Sequence, residues 1–189
     1  MKPTQIVHLL SGGLDSVTLL YDLHSKGHSV FCLLCDYKQR HVQELLFAKT
    51  HCRRLGVRWC VIDLPALGGL TEKSWIVPNR NAILLAFAVN KAIEIGANYV
   101  TIGCNAEDEW MFPDCSKRFI EATNKVAEAS RAKVKVLAPY VGWTKAQIAT
   151  KFKTFRVPLG EVWSCYKGGA KPCGKCQACR KMKEAVCGR

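Results

Sequence analysis

Short apolar segments rich in β-branched residues alternate with amphipathic stretches along this chain, and this alternation constrains the fold more than any other feature. The apolar segments predict β-strands at residues 6–10, 30–35, 59–64, 99–104 and 134–137. Helical spacing is found at residues 16–26, 44–55, 81–95, 114–130 and 144–155, the last with Thr144 as its N-cap. The sequence therefore predicts an α/β fold: a doubly wound, five-stranded parallel sheet covered on both faces.

Glycine-containing or polar segments stand at the carboxyl ends of three of these strands or directly after them. They are Ser11-Gly12-Gly13, Asp36-Tyr37 and Gly103-Cys104-Asn105. In doubly wound sheets, ligands bind beyond the carboxyl ends of the strands, so the sequence predicts a binding site there. The pattern changes near residue 160, which suggests a main domain over residues 1–159 and a short helical or irregular tail over residues 160–189.

The segment Ser11-Gly12-Gly13-Leu14-Asp15-Ser16 has the features of a phosphate-binding loop. Its glycines allow the backbone to approach a ligand closely, and the following helix offers unpaired N–H groups and a partial positive charge. It is not a Walker A loop, because no Lys-Ser or Lys-Thr follows the glycines, and it lacks the G-x-G-x-x-G spacing of dinucleotide-binding folds. The alternative is an ordinary glycine turn between a strand and a helix.

Positive charge is concentrated in the C-terminal third of the chain. The 189 residues carry a formal charge of +13. Residues 1–128 hold 14 basic and 13 acidic side chains, whereas residues 129–189 hold 14 basic and only 2 acidic ones. Because phosphate neutralisation gives nucleic-acid-binding proteins much of their affinity, this distribution suggests an acidic partner or nucleic acid at the C-terminal third.

The chain contains eleven cysteines, an odd number, and its first apolar run is too short for a signal peptide. No apolar stretch approaches the roughly 20 residues that span a bilayer. We therefore expect a cytoplasmic protein without a membrane association, whose cysteines are metal ligands or free thiols rather than disulfides.

Four cysteines near the C-terminus have the spacing of a metal site, C-x7-C-x2-C-x2-C. They are Cys165, Cys173, Cys176 and Cys179. Four thiolates suit a closed tetrahedral zinc site, which is structural because no coordination position stays open. An iron–sulfur cluster is the alternative, although the C-x3-C-P continuation of ferredoxin-type runs is absent.

Together these motifs resemble the 7-cyano-7-deazaguanine synthases, a family of the N-type ATP pyrophosphatase (PP-loop) superfamily with an adenine nucleotide α-hydrolase-like fold. The resemblance extends from Leu10 to Cys179. Besides the loop and the four-cysteine tail, it rests on Asp36-Tyr37-Lys38-Gln39-Arg40-His41, Val77-Pro78-Asn79-Arg80-Asn81, Asn105-Ala106-Glu107-Asp108 with Pro113-Asp114-Cys115, and Trp163-Ser164-Cys165-Tyr166.

The resemblance implies a ligase that converts 7-carboxy-7-deazaguanine and ammonia to 7-cyano-7-deazaguanine through an adenylated carboxylate and an adenylated amide. Such an enzyme serves queuosine-type nucleoside biosynthesis, uses ATP and Mg²⁺, contains structural Zn²⁺ and forms a homodimer. Two other functions stay open: a PP-loop enzyme that modifies tRNA directly, of the thiolation or lysidine type, and a non-catalytic zinc-stabilised binding module.

The resemblance also implies roles for individual residues. ATP binding falls to Leu10, Ser11, Gly12, Gly13, Leu14, Asp15, Ser16, Val17, Asp36, Tyr37 and Arg40. The catalytic positions are Ser11, Asp15, Ser16, Arg80, Asp108 and Asp114. Asp108 and Asp114 are candidates for binding the guanine-like edge or for metal ligation, and Trp110, Phe112 and Trp163 for stacking on the base.

Three positions depart from the family pattern. Lys38 stands where glycine is usual, which argues against a left-handed backbone there. Asn79 also replaces a glycine, but asparagine tolerates the left-handed conformation. Ser116 stands where arginine is common, so we expect any contact from that arginine to be missing.

Overall fold

The computed structural model describes residues 3–69 and 77–187. Its strands are β1 (Gln5–Leu9), β2 (Ser29–Asp36), β3 (Arg58–Asp63), β4 (Tyr99–Ile102) and β5 (Lys135–Leu137). They form one parallel five-stranded sheet in the order β3-β2-β1-β4-β5. The predicted doubly wound sheet is confirmed. The chain places β2 and β3 on one side of β1, and β4 and β5 on the other, so the strand order reverses beside β1.

Helices cover both faces of this sheet. They are α1 (Leu14–Ser25), α2 (Gln43–Leu55), α3 (Pro65–Gly69), α4 (Arg80–Ile95), α5 (Lys117–Ala129), α6 (Lys145–Thr154) and α7 (Gln177–Cys187). Side chains of α1, α2 and α6 form one apolar core, which contains Val17, Leu45 and Phe152. Side chains of α4 and α5, among them Leu85 and Ile120, form the other. None of the helices in the described ranges has the length and apolar composition that a bilayer span requires.

A buried histidine joins the centre of the sheet to the first helix. His8 lies on β1, and its Nδ1 is 2.9 Å from Thr101 Oγ1 on β4. Its Nε2 is 2.9 Å from the carbonyl oxygen of Ser16 on α1. Burial lowers the pKa of His8 to about 4, although both hydrogen bonds oppose the shift. The neutral ring therefore ties β1, β4 and the start of α1 together at neutral pH.

Two helix predictions need correction. The helix predicted at residues 114–130 begins only at Lys117, because Pro113–Cys115 forms a separate 3₁₀ turn. Ser116 between them is extended and caps α5, with its Oγ accepting a hydrogen bond from Phe119 N. Ser116, which stands where arginine is common in the family, therefore acts as the N-cap of α5. The sequence analysis also predicts no helix at Pro65–Gly69, where the structure has the short helix α3.

The two residues that replace glycine both adopt left-handed backbone conformations, with φ of 60° at Lys38 and 54° at Asn79. The expectation for Asn79 is confirmed, whereas the one for Lys38 is wrong. Two acidic groups stabilise the Lys38 turn. Lys38 N donates to Asp36 Oδ1 at 2.9 Å, and Lys38 Nζ lies 3.5 Å from Asp36 Oδ2 and 3.3 Å from Asp63 Oδ1.

The C-terminal helix packs on the core side of α6. Met182, Ala185 and Val186 of α7 contact the apolar core formed by α1, α2 and α6. Lys153 Nζ on α6 also donates to the Val186 carbonyl oxygen at 3.0 Å. The tail is thereby held against the helices α1, α2 and α6, which cover one face of the sheet.

The start of α6 has a complete capping box. Thr144 Oγ1 accepts a hydrogen bond from Gln147 N at 3.2 Å, and Gln147 Oε1 accepts one from Thr144 N at 2.8 Å. We expect Thr144→Ala to lower the free energy of unfolding by about 1 kcal/mol, because an orphan N–H loses its acceptor. Urea denaturation would measure this. Thr144→Ser, which keeps the hydroxyl, should stay within a few tenths of a kcal/mol of the parent; equal losses in both variants would contradict the capping role.

Candidate active site

A cavity of about 250 Å³ opens beyond the carboxyl ends of β1, β2 and β4. Many of the residues predicted to form the site line it: Leu10, Ser11, Gly13, Leu14, Asp15, Ser16, Tyr37, Arg80, Asp108 and Asp114. The lining also includes residues from the tail, namely Trp163, Ser164, Tyr166, Ala178 and Lys181. The topology thus brings segments from the whole chain to the edge where ligands bind in doubly wound sheets.

The glycine loop is packed so tightly at Gly12 that no side chain fits there. Gly12 has φ of 86°, and a Cβ atom there would lie 2.1 Å from the Glu44 carbonyl oxygen. Inside the loop, Ser11 Oγ lies 3.0 Å from Ser16 Oγ and accepts from Gly13 N at 3.3 Å. Two hydroxyls and the first N–H groups of α1 therefore converge at one point, an arrangement suited to an anion.

Asp15, in the first turn of α1, is the most heavily engaged carboxylate of the cavity. Its Oδ2 accepts from Lys145 Nζ at 2.7 Å and from Asn105 Nδ2 at 2.8 Å. Burial works against the charge of Lys145, but Asp15 and Asp108 outweigh it and raise the lysine pKa. Asp15 Oδ1 is buried and has no hydrogen-bond partner among the described residues, so one oxygen is available to a ligand.

Asp108 stands on the other side of Asn105. Its Oδ2 accepts from Asn105 Nδ2 at 2.6 Å, and its Oδ1 lies 3.9 Å from Lys181 Nζ. Burial raises the pKa of Asp108, with Lys145 and Lys181 opposing the shift and Asp15 adding to it. Asp15 and Asp108 therefore share the side-chain amide of Asn105, and each has a lysine ammonium group beside it.

Asp114 and Arg80 lie at the start of α4. Asp114 Oδ2 accepts from Asn81 N at 2.9 Å, so this carboxylate acts as a cap for the helix. Arg80 Nη1 donates to the Tyr37 hydroxyl at 2.6 Å, and its guanidinium carbon lies 5.4 Å from the centre of the Tyr37 ring. The Arg80 and Tyr37 side chains therefore form one unit on the β2 side of the cavity.

Four residues predicted to bind nucleotide do not line the cavity: Gly12, Val17, Asp36 and Arg40. Val17 is fully buried in the core, and Asp36 pairs with Lys38. Arg40 is exposed.

Among the aromatic candidates, Phe112 and Trp163 line the cavity. Trp110 does not line it and has 75% of its surface exposed.

Three lining residues were missed by the sequence analysis, namely Glu44, Lys145 and Lys181. Asn105, which the sequence analysis placed at the predicted binding edge without a role, donates to both Asp15 and Asp108. A signal existed for Lys145, because it opens α6, where the helix dipole disfavours a cation unless an anion lies nearby. Glu44 lies at the start of an amphipathic helix, where the sequence pattern predicts a solvent-exposed residue. Nothing in the sequence distinguishes Lys181 from its basic neighbours.

The four predicted metal ligands come together at the start of α7. The sulfur atoms of Cys165, Cys173, Cys176 and Cys179 all lie within 4.8 Å of one another. Tetrahedral zinc with Zn–S bonds of about 2.3 Å needs sulfur atoms roughly 3.8 Å apart, so small side-chain rotations would suffice. Backbone N–H groups of Lys175 and Cys176 lower the pKa of Cys173 to about 6, which favours its thiolate, whereas burial raises the pKa of Cys179 to about 12.

Sequence comparison relates this chain to known proteins. The family described as Queuosine biosynthesis protein QueC matches residues 5–76 and 71–187. Among curated proteins, the 7-cyano-7-deazaguanine synthase of Caldicellulosiruptor bescii is 38% identical, over 95% of this chain and 90% of its own. The Pseudoalteromonas translucida protein of that name is 37% identical, over 96% of this chain and 93% of its own.

Solved structures with low sequence identity share the fold. NMN synthetase from Francisella tularensis has a TM-score of 0.62 at 13% identity, over 97% of this chain and 83% of its own. The U34-tRNA thiolase NcsA from Methanococcus maripaludis, solved with its [4Fe-4S] cluster, has a TM-score of 0.60 at 14% identity, over 100% of this chain and 72% of its own. On the sequence matches, which span nearly its whole length, this chain belongs to the QueC family of queuosine biosynthesis proteins.

Proposed function

We propose that this protein converts 7-carboxy-7-deazaguanine, ammonia and two molecules of ATP to 7-cyano-7-deazaguanine, two AMP and two pyrophosphate. The observation that carries the proposal is the joint placement of the glycine loop and Asp15–Lys145 in one cavity, in a chain related to 7-cyano-7-deazaguanine synthases. The two oxygens lost from the carboxylate leave on the two AMP molecules, so the synthesis needs no redox partner.

In the first half, a substrate carboxylate oxygen attacks the α-phosphorus of ATP and the bond to pyrophosphate breaks. Ammonia then displaces AMP and forms the amide. In the second half, the amide oxygen attacks a second ATP, and loss of AMP with the remaining nitrogen protons leaves the nitrile. Adenylation supplies the leaving group in both halves, so the protein contributes mainly positioning and charge stabilisation.

The loop would hold the departing pyrophosphate. The Ser11 and Ser16 hydroxyls, 3.0 Å apart, and the N-terminus of α1 provide donors for its oxygens. Lys145, which pairs with Asp15, and Lys181, whose Nζ lies 3.9 Å from Asp108 Oδ1, add positive charge to the same cavity. Charge that develops on the leaving group is thereby neutralised in a largely buried site.

The donor set fits Mg²⁺. Asp15 Oδ1 is a buried carboxylate oxygen without a partner in the described ranges, and Mg²⁺ in nucleotide sites commonly binds one or two carboxylates together with phosphates and water. Asp15, with Asp108 as its neighbour across Asn105, would hold the ion. When bound, it would supply Lewis-acid neutralisation of the triphosphate. Lys145 keeps Asp15 paired and oriented in the free protein.

The tail would bind Zn²⁺ through Cys165, Cys173, Cys176 and Cys179. Four protein thiolates leave no open position, so the metal would stabilise the segment that carries Tyr166 and Lys181 into the cavity rather than act on substrate. An iron–sulfur cluster on the same cysteines is the competing possibility.

The first prediction concerns the substrates. Release of AMP and pyrophosphate should require both 7-carboxy-7-deazaguanine and ammonium, and mass spectrometry should identify the nitrile product. Asp15→Asn should lower the rate at least about 100-fold, because a buried carboxylate that serves the phosphates is lost. Asp63→Asn, at an exposed carboxylate outside the cavity, is the matched control and should keep the parental rate. Release that depends on tRNA, or an absence of ATP consumption with the acid, would refute the proposed function.

The second prediction concerns the metal. The purified protein should contain one zinc per chain and no stoichiometric iron by elemental analysis. Cys176→Ser should lose zinc, whereas Cys187→Ser, at an exposed cysteine outside the cluster, should retain it. Four iron atoms per chain with visible absorbance would instead establish the cluster alternative.

A further inference from the structure

Four carboxylates line the described cavity, and three of them have protein partners that account for their charge or position. Asp15 pairs with Lys145, Asp108 lies between Asn105 and Lys181, and Asp114 caps α4. The fourth is Glu44, in the first turn of α2. It stands apart from the two lysines, so its surroundings require a separate explanation.

Glu44 is a buried carboxyl group with few polar contacts. Its side chain is only 12% exposed. Its Oε1 accepts from Gln39 Nε2 at 3.1 Å, while its Oε2 lies 3.6 Å from His41 Nε2. Burial lowers the pKa of His41 to about 4, so this ring is neutral near pH 7 and forms no ion pair with Glu44.

Burial of the Glu44 carboxyl in the cavity therefore disfavours its ionised form. Burial raises its pKa to about 8, despite the opposing effects of Arg80 and Gln39. Near pH 7 the free carboxyl therefore holds a proton, and its ionised form, which offers about four acceptor sites, has one amide donor among the described residues. Such a group is best satisfied by a ligand that brings its own hydrogen-bond donors.

Gln39 fixes the direction in which Glu44 points. Gln39 Oε1 accepts from Tyr37 N at 2.9 Å, and Gln39 Nε2 also donates to the Cys35 carbonyl oxygen at 3.3 Å. The amide is thus held at both ends by backbone, and it holds Glu44 in turn. Glu44 is therefore a preorganised acceptor beside the aromatic rings of Tyr37, His41 and Tyr166, which line the same cavity.

A 7-deazaguanine ring has the matching chemistry. Its N1–H and its exocyclic amino group are adjacent donors that point the same way, and an ionised carboxyl can accept both in parallel. Binding of these donors favours the ionised form, so Glu44 would release its proton to solvent when the ring binds. Its flat face suits the neighbouring aromatic rings. We propose that Glu44 binds the N1–H and amino edge of the 7-deazaguanine substrate and so selects guanine-type rings; this inference rests on the proposed function.

The test uses the zinc-loaded protein, a non-hydrolysable ATP analogue and two acids: 7-carboxy-7-deazaguanine and the same molecule without its exocyclic amino group. Calorimetry should show that the parent binds the guanine-type acid at least about 10-fold more tightly, because the second acid leaves an acceptor unpaired. In Glu44→Gln the side-chain amide presents a donor to the substrate edge. The preference should then fall below about threefold.

Steady-state kinetics separate this role from ammonium binding, the other way to supply N–H donors to Glu44. Glu44→Gln should raise KM for the acid and leave KM for ATP and ammonium unchanged. A raised KM for ammonium with the acid preference intact would overturn the inference. Glu121→Gln, at an exposed residue of α5, is the matched control and should behave as the parent.

A stability measurement tests whether Glu44→Gln still folds like the parent. Between the ordinary carboxyl pKa and about 8, the folded parent retains a proton on Glu44 that the unfolded chain releases, so Glu44 makes stability fall as pH rises through this window. Glutamine has no such dependence. The variant should therefore lose less stability than the parent between pH 5 and pH 8 in urea denaturation.

The outcomes distinguish this inference from the proposed function. If the parent neither binds the guanine-type acid nor consumes ATP with it, both fail. If the parent turns over the acid but Glu44→Gln keeps the full preference for the amino group, only the role of Glu44 is refuted.

Discussion

The pairing of the Asp15 carboxylate determines how the site is built. A buried negative charge must be compensated, and here the compensation comes from Asn105 after β4 and Lys145 at the start of α6. These contacts join three segments that lie far apart in the chain at the point where the strand order reverses. The glycine loop, the Asp108 carboxylate and the Lys181 ammonium group are all arranged around this centre.

The charge asymmetry of the chain has several local explanations. Lys145 and Lys181 face the cavity carboxylates, whereas Lys151 pairs with the buried Asp22 on α1. Lys153 donates to a backbone carbonyl of α7. Part of the basic C-terminal third therefore compensates acidic groups contributed by the near-neutral N-terminal part, so a local excess of charge along the sequence is partly balanced in three dimensions.

Most of the fold could be predicted because parallel strands buried on both faces leave continuous apolar runs in the sequence. Much of the loop side of the site followed from the Gly12-Gly13 pair and the hydroxyls beside it. The Glu44 side could not be predicted, because a glutamate in a first helical turn is favourable without any ligand. The helix break at Ser116 was missed since the apolar spacing continues through it, and only the cap hydrogen bond to Phe119 reveals the new start.

The error at Lys38 has a different physical origin. A non-glycine residue at positive φ costs about 1 kcal/mol, and sequence patterns cannot show that two neighbouring carboxylates offset the cost. Lys38 uses its own backbone N–H and its ammonium group for those contacts. A glycine would reach the same backbone conformation without strain but would lack the ammonium contacts.

One hydrogen bond has consequences for how the protein folds. Trp163 N donates to the Gly12 carbonyl oxygen at 2.9 Å, so a residue just before the cysteine cluster closes onto the loop that follows the first strand. Contacts between such distant positions form late, because the entropy of closing the intervening loop must be overcome first. A partly folded chain with β1, α1 and β2 in place would still have an incomplete cavity. A ligand of this cavity should therefore stabilise only the fully folded state and draw late intermediates toward it.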